Sequence, residues 1–97
     1  MMLVLRVLKT QPLHGYAIAQ RISQVSGEML KVEEGSLYPA LQKMLRKGWV
    51  RAEWGMSETN RRVRSYRLTP AGRAQLESER TRYEHANRAI QAVLKLA

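Results

Sequence analysis

The sequence predicts a mainly α-helical domain that carries a single two-stranded β-hairpin. Apolar residues recur at three- and four-residue steps in the first half of the chain, which is the spacing of helices packed on a core. Between residues 49 and 68 the spacing becomes that of two extended stretches around a turn, and Thr69-Pro70 then opens another helical stretch. A chain of 97 residues is enough for one domain of this kind.

Two helices are predicted at the start of the chain. Residues 1–10 are apolar on nearly every side, so this helix needs more than one covering neighbour, a second subunit being one candidate; a buried strand is the alternative. The segment is too short for an export signal and carries Arg6 inside its apolar stretch. The second helix is predicted from Leu13 to Ser26, before Gly27. Its inner residues are Ala17, Ile18, Ile22 and Val25.

The third helix is predicted before Gly48. Its inner stripe consists of Leu37, Leu41, Met44 and Leu45. Pro39 has no backbone N–H, so it is tolerated only near the start of a helix, where donors have no partner. We therefore expect the helix to begin close to Ser36, and a start one turn earlier requires distortion.

A hairpin and a long helix complete the predicted fold. Residues 49–54 form one strand, residues 55–60 are rich in turn formers, and Val63, Tyr66 and Leu68 mark the returning strand. Thr69 is a predicted N-cap, followed by proline at the first helical position. The last helix extends towards Ala97 and carries a near-heptad apolar stripe, which is typical of a helix that packs on a partner helix. The stripe consists of Leu76, Tyr83, Ile90 and Ala97, with Val93 and Leu94 beside them.

Three helices followed by a β-hairpin is the order of the winged helix-turn-helix fold. In that fold the third helix enters the DNA major groove while the hairpin, or wing, lies along the backbone. The predicted fold class is therefore a winged helix-turn-helix domain plus a long C-terminal helix. This order of elements does not by itself establish DNA binding, because many domains with the same order contact only proteins.

The charge of the chain indicates a polyanionic partner. Lys and Arg number 17 against 8 acidic residues, a net charge of +9. DNA, RNA and an anionic membrane surface all fit this charge. Residues 61–67 hold four arginines and no acid, which favours phosphate binding over the alternative of a solvated face that blocks strand pairing. We assign phosphate contacts to Arg61, Arg62 and Arg64, and a structural role to Arg67.

The outer face of the third helix carries groups suited to a DNA groove. The Ser36 hydroxyl can donate to a phosphate or base, Tyr38 supplies a rigid ring, and Gln42 can pair with adenine. Capping, packing and solvation are the ordinary alternatives for these side chains. The predicted DNA contacts of this helix are Ser36, Tyr38, Pro39, Gln42 and Lys43. Trp49 and Trp54 lie five residues apart, so we expect one in the core and the other half-exposed, with base stacking as the alternative.

The composition argues against catalysis and against a membrane span. The chain has no Cys, all 8 acids are Glu, and His14 and His85 lie far apart without metal-ligand spacing. His14 precedes a helix, where a capping or surface role is favoured over proton transfer. No apolar run approaches the roughly 20 residues that a bilayer requires. We expect no catalytic residue, no metal and no cofactor, and a cytoplasmic location.

Three sequence blocks resemble the PadR-like bacterial transcriptional regulators. They are Leu13-His14-Gly15-Tyr16, then Glu34 to Leu41 with Leu45 and Gly48-Trp49, then Arg64 to Gly72. The blocks occur in the family's order, and with the flanking helices they span essentially the whole chain. The resemblance implies a homodimeric repressor of the short subgroup that binds double-stranded DNA at a palindromic operator.

The resemblance also implies roles for individual residues. Ser36, Tyr38 and Pro39 belong to the DNA-reading helix, and Tyr16 lies in the helix that supports it near the backbone. Residues 1–69 would form the DNA-binding domain, and residues 70–97 the dimerisation helix, packed with the N-terminal helix. The dimerisation residues expected are Leu3, Leu5, Leu76, Tyr83, Ile90 and Leu94.

Two features of this chain depart from the family pattern. Some short members bind planar drugs between tryptophans of the dimerising helices, whereas no Trp follows Trp54 here, so any small-molecule effector stays unidentified. Relatives usually have several residues before the first apolar helix, and this chain begins inside it.

Two other function classes compete with a sequence-specific regulator. One is a basic architectural protein that binds nucleic acid without reading its sequence. The other is a protein-interaction module or membrane-surface binder. The last helix mixes Glu77, Glu79 and Glu84 with Arg80, Arg82 and Arg88, which predicts poor attraction to anionic lipid.

Overall fold

The computed structural model describes all 97 residues and contains seven elements. The helices are α1 (Met2–Leu8), α2 (Gly15–Val25), α3 (Glu34–Arg46) and α4 (Pro70–Leu94), and the strands are β1 (Leu13–His14), β2 (Val50–Met56) and β3 (Arg62–Leu68). The predicted order of three helices, a hairpin and a long final helix is confirmed. No helix combines the length and the apolar composition that crossing a bilayer requires.

The sheet has three strands where two were predicted. β3 lies in the centre, and β2 pairs with it antiparallel from Val50↔Leu68 to Met56↔Arg62. On the other side β1 contributes only the pairs Leu13↔Tyr66 and His14↔Ser65. A strand of two residues is too short to show an alternating pattern, so the sequence carried no sign of it.

α2 begins at Gly15 and not at Leu13, which belongs to β1. His14 caps the helix, because its Nδ1 accepts a hydrogen bond from the Ala17 N–H at 3.3 Å. Of the capping and surface roles predicted for His14, the structure shows the capping role. Val25, predicted to face inward, is the last helical residue and is exposed, since the chain leaves the core before reaching it.

α3 begins at Glu34, two residues before the predicted start at Ser36. The N–H groups of Ser36 and Leu37 both donate to the Glu33 carbonyl, which closes a first turn ahead of Pro39. Pro39 thus lies inside the helix. Ser36 is not the cap, and its hydroxyl makes no hydrogen bond within the chain.

Twelve buried apolar residues form one core at the place where the helices meet the base of the sheet. They are Val4, Leu5, Leu8, Ile18, Ile22, Leu37, Leu41, Met44, Val50, Tyr66, Leu68 and Leu76. Leu76 of α4 belongs to this cluster, so the core extends past the predicted boundary between residues 69 and 70.

Thr69 joins the hairpin to α4. Its Oγ1 accepts a hydrogen bond from the Gly72 N–H at 3.0 Å and donates one to the Gly48 carbonyl at 2.6 Å. Its N–H donates to the Trp49 carbonyl at 3.1 Å. The predicted N-cap is confirmed, and it also ties the start of α4 to the chain segment that enters β2.

The second half of α4 extends away from the core. Every residue from Arg80 onwards is exposed, and the molecule measures 59 × 28 × 23 Å along its principal axes. The helix ends at Leu94, three residues short of the predicted end at Ala97.

Candidate nucleic-acid interface

The outer face of α3 is open to solvent. The exposed residues on it are Ser36, Tyr38, Pro39, Gln42 and Lys43, all five of the predicted groove contacts. Leu37, Leu41 and Met44 on the opposite face are buried, so they fix the helix against the core. The face is therefore rigidly presented, which a groove-reading helix requires.

Tyr38 is held in place by the start of α2. A Cβ atom added to Gly15 would lie 3.0 Å from both Cε1 and Oη of Tyr38, so the ring rests directly against the Gly15 backbone. Tyr38 nevertheless keeps 44% of its surface exposed. Tyr16, also exposed, follows at the same helix start. Sequence reasoning missed this contact, because no local pattern relates a glycine to a tyrosine on another helix.

The wing presents arginines that are supported by aromatic rings. Arg62 places its guanidinium carbon 4.6 Å from the centre of the Trp54 ring, and Arg64 lies 5.9 Å from that of Tyr66. Arg61 and Arg62 are exposed, and Arg64 is half-buried. These distances fall within the roughly 6 Å range of cation–π attraction.

None of the ion pairs of the chain involves an arginine of the wing. The two ion pairs of the chain are Lys9–Glu77 at 3.9 Å and Arg80–Glu84 at 3.2 Å, and both involve α4. The N–H donors of the wing arginines are therefore available to an external anion.

Strand register separates the arginines into two sets. Trp54 pairs with Arg64, which places Arg62 and Arg64 on the same sheet face as the buried Tyr66. Arg67 lies on the other face, opposite Arg51, and is exposed. Since Arg67 makes no ion pair or side-chain hydrogen bond, the structure offers no partner for the structural role predicted for it.

A cleft connects the α2 and α3 starts to the wing. Its volume is about 380 Å³, and Tyr16, Tyr38, Trp54 and Arg64 contribute to its walls. A wider cleft beside it runs between Tyr16 and the loop that joins β2 to β3, and includes Arg61. The tertiary structure thus brings together predicted site residues from α2, α3 and the wing. The other predicted contacts are exposed but line neither cleft: they are Ser36, Pro39, Gln42 and Lys43 of α3 and Arg62 of the wing.

The residues predicted for dimerisation divide into two groups. Leu5 and Leu76 are 0% and 1% exposed within a single chain, so they have no surface left for a second copy. The other four, which are exposed, are Leu3, Tyr83, Ile90 and Leu94. The spacing of apolar residues shows that one face of a helix is buried, but it does not show whether the element that buries it belongs to the same chain or to a second copy.

The family comparison and two curated relatives define what this chain resembles. The model of the family described as "Transcriptional regulator PadR-like family" matches residues 4–78. The chain is 50% identical over 78 residues to the uncharacterized 37.1 kDa protein in transposon TN4556 of Streptomyces fradiae, covering 80% of this chain and 21% of that protein. It is 28% identical over 74 residues to uncharacterized protein X of Lysinibacillus sphaericus, covering 76% of this chain and 68% of that one. The chain therefore spans only about a fifth of the Streptomyces relative.

Solved structures share the fold over most of the chain. A transcriptional regulator from Clostridium thermocellum superposes with a TM-score of 0.88 at 26% identity, covering 97% of this chain and 91% of that one. A PadR family transcription regulator from Clostridium difficile gives 0.81 at 25% identity, covering 96% and 95%. Bacillus subtilis PadR in complex with operator DNA gives 0.70 at 23% identity, covering 79% and 44%, and is similar in fold alone.

The family match over residues 4–78 covers all three sequence blocks. The first three residues and the part of α4 after Ser78 lie outside the match. The family consists of transcriptional regulators and not of enzymes. The blocks that suggested the resemblance include His14, the α3 face and the Thr69 cap, which the structure shows as parts of one fold. The chain belongs to the PadR-like family of transcriptional regulators.

Proposed function

We propose that the chain is a sequence-specific regulator that binds double-stranded DNA, acting as a homodimeric repressor at a palindromic operator. The observation that carries this proposal is the cleft that joins α3 to the wing, with Tyr38 on one side and Arg64 on the other. A duplex lying there would meet the outer face of α3 and Arg64 of the wing together. Operator DNA is also the partner of the Bacillus subtilis protein that shares this fold.

The proposed interface assigns base reading to α3 and phosphate binding to the wing. Ser36, Tyr38 and Gln42 offer hydroxyl and amide groups to base edges in the major groove, where each base pair shows a distinct pattern of donors and acceptors. Pro39 adds an apolar contact and Lys43 a phosphate contact. Tyr16 lies close to the backbone, and Arg61, Arg62 and Arg64 hold the phosphates through charge-assisted hydrogen bonds.

A second copy of the chain would pair through α4 and α1. Leu3, Tyr83, Ile90 and Leu94 are large apolar residues that the chain itself leaves exposed, and they lie along these two helices. Two copies related by a two-fold axis would place their α3 helices in successive major grooves, about 34–36 Å apart. In this functional division residues 1–69 bind DNA and residues 70–97 dimerise. Such a regulator would work in the cytoplasm, where the DNA is.

Selection of DNA from a random pool tests the proposal. We expect the purified chain to enrich one palindromic sequence and to bind it at least ~10³-fold more tightly than random duplex at equal salt. Salt dependence alone does not distinguish a sequence-specific regulator from an architectural protein, because specific and non-specific binding both release counterions. Equal affinity for selected and random duplexes would contradict the proposal and favour the architectural alternative.

A further inference from the structure

Trp54 is an exposed tryptophan whose surroundings are cationic. Its side chain is 60% exposed on β2, whereas Trp49 packs against the core. The close neighbour of Trp54 is Arg62, at 4.6 Å from the ring centre.

The strand register explains why Trp54 meets the wing arginines. Trp54 lies directly opposite Arg64, and Arg62 lies opposite Met56, two residues further along the same face. Trp54 therefore stands beside both arginines. Arg64 has a second support, since it also lies over Tyr66, which is buried in the core. The only aromatic ring that supports Arg62 is that of Trp54.

A guanidinium that stacks on a ring can still bind a phosphate. Stacking uses the flat face of the group, while its N–H donors point outward along its edges. No carboxylate of the chain occupies those donors on Arg62. A free arginine side chain loses much rotamer freedom when it is immobilised on a ligand, and a side chain already ordered by stacking loses less.

We propose that Trp54 is a positioning residue of the DNA interface, which holds Arg62 in the orientation that a backbone phosphate accepts. This inference rests on the proposed function, because the phosphate is that of the bound duplex. Trp54 also lines the cleft beside α3, but the proposal assigns its effect on affinity to Arg62 and not to a contact between the ring and DNA. The wing then binds phosphates with Arg64, which is ordered by the buried Tyr66 ring, and with Arg62, which is ordered by the exposed Trp54 ring.

The stack is tested first in the free protein by proton NMR. A guanidinium stacked over an indole experiences its ring current, so the Cδ protons of Arg62 should lie upfield of their random-coil position. The shift should vanish in Trp54→Leu and persist in part in Trp54→Phe. If the Cδ protons of Arg62 in the unsubstituted chain have random-coil chemical shifts, the proposal is overturned without any binding measurement.

The consequence for binding is tested with a random-sequence duplex of 30 base pairs over a range of salt. Trp54→Leu leaves the net charge unchanged, so we expect affinity to fall about two- to fivefold with the same salt slope. Trp54→Phe should restore part of the loss. Met29→Ala, an exposed apolar change outside the wing, is the control and should leave affinity unchanged. Equal thermal midpoints confirm that each variant is folded.

A double-mutant cycle with Arg62→Gln distinguishes positioning from direct contact. If Trp54 acts through Arg62, Trp54→Leu should cause no further loss in the Arg62→Gln background. A loss that persists there would mean that Trp54 touches DNA itself, and an unchanged affinity of Trp54→Leu would mean that it has no role; either result overturns the proposal while the proposed function stands. Failure of the unsubstituted chain to bind any duplex would overturn both.

Discussion

Tyr38 and Arg62 represent the two kinds of contact that the proposed interface needs. The ring of Tyr38 rests on Gly15 and is still half available to a groove. Arg62 rests on Trp54, with its donors free of carboxylates. Neither side chain is a generic surface residue, because each is oriented by a contact from a different element. Their separate roles can be measured.

Truncation of Tyr38 and of Arg62 should change different quantities. Tyr38→Ala removes the proposed groove contact but no charge, so we expect a loss of about 1–3 kcal/mol in discrimination between operator and random duplex at an unchanged salt slope. Arg62→Gln should weaken both duplexes alike and lower the slope of log K against log salt by about 1. Fluorescence anisotropy titrations at several salt concentrations measure both effects.

Tyr38→Phe is the control for the first variant, because it keeps the ring on Gly15 and removes only the hydroxyl. If Tyr38→Phe discriminates between operator and random duplex as well as the unsubstituted chain does, the loss in Tyr38→Ala comes from the ring and not from the hydroxyl. If Tyr38→Ala weakened all duplexes equally and Arg62→Gln altered only the ratio, the two surfaces would have the opposite roles.

Position 72 requires glycine because there is no room for a Cβ atom, and not because of its backbone conformation. Its φ is not positive, yet a Cβ atom there would overlap the Trp49 carbonyl oxygen and lie 2.6 Å from Cδ1 of Leu68. The close approach lets α4 start directly against the segment that enters β2. Backbone atoms cannot yield as a flexible side chain can.

Gly72→Ala should therefore destabilise the fold by about 3 kcal/mol, the upper part of the range for overpacking. Urea unfolding followed by circular dichroism measures the change. Gly35→Ala is the matched control, since nothing lies within 4 Å of an added Cβ in that helix; we expect it to be neutral or stabilising by up to about 1 kcal/mol. Equal midpoints for the two variants would contradict the steric argument.

At the scale of elements, the start of α4 is joined to the hairpin by one side chain. The Thr69 hydroxyl accepts from the Gly72 N–H and donates to the Gly48 carbonyl. The first bond caps the helix, and the second fixes its position relative to the end of the turn that follows α3. The orientation of α4 relative to the DNA-binding elements therefore depends on this residue.

Thr69→Ala should reduce the free energy of unfolding by about 2 kcal/mol, because it removes a helix cap and the part-buried hydrogen bond to the Gly48 carbonyl. Thr69→Ser keeps the hydroxyl and should cost much less. Chemical denaturation of the two variants provides the comparison. A serine variant as unstable as the alanine one would show that the methyl group, and not the hydroxyl, stabilises this junction.

At the scale of the whole molecule, the long axis measures 59 Å because α4 extends beyond the hydrophobic core. Leu76 ends the part of α4 that the chain buries, and beyond Arg80 all residues are exposed. Ile90, 57% exposed, lies midway along this part. A helix with such an apolar stripe gains stability by packing against a second copy.

Ile90→Glu should convert the proposed dimer into a monomer without unfolding the domain, because a charge on the stripe cannot be buried unpaired. Light scattering measures the mass, and circular dichroism measures the fold. Ala92→Glu, on the opposite face of α4, is the matched control and should leave the mass unchanged. A dimer that survives Ile90→Glu would place the contact elsewhere.

The sequence by itself determined the order of the elements and the chemistry of the surface. Helical and extended spacing are local properties, and so are the Thr69-Pro70 start and the concentration of arginine between residues 61 and 67. The three blocks typical of the family are likewise contiguous, which is why family membership was predictable.

The tertiary structure alone decided which residues meet. It placed Leu5 and Leu76 inside one chain while leaving Ile90 outside, and it set Tyr38 on Gly15 and Arg62 on Trp54. The physical reason is that periodicity defines which face of an element is covered, whereas the identity of the covering neighbour depends on how distant segments pack in three dimensions.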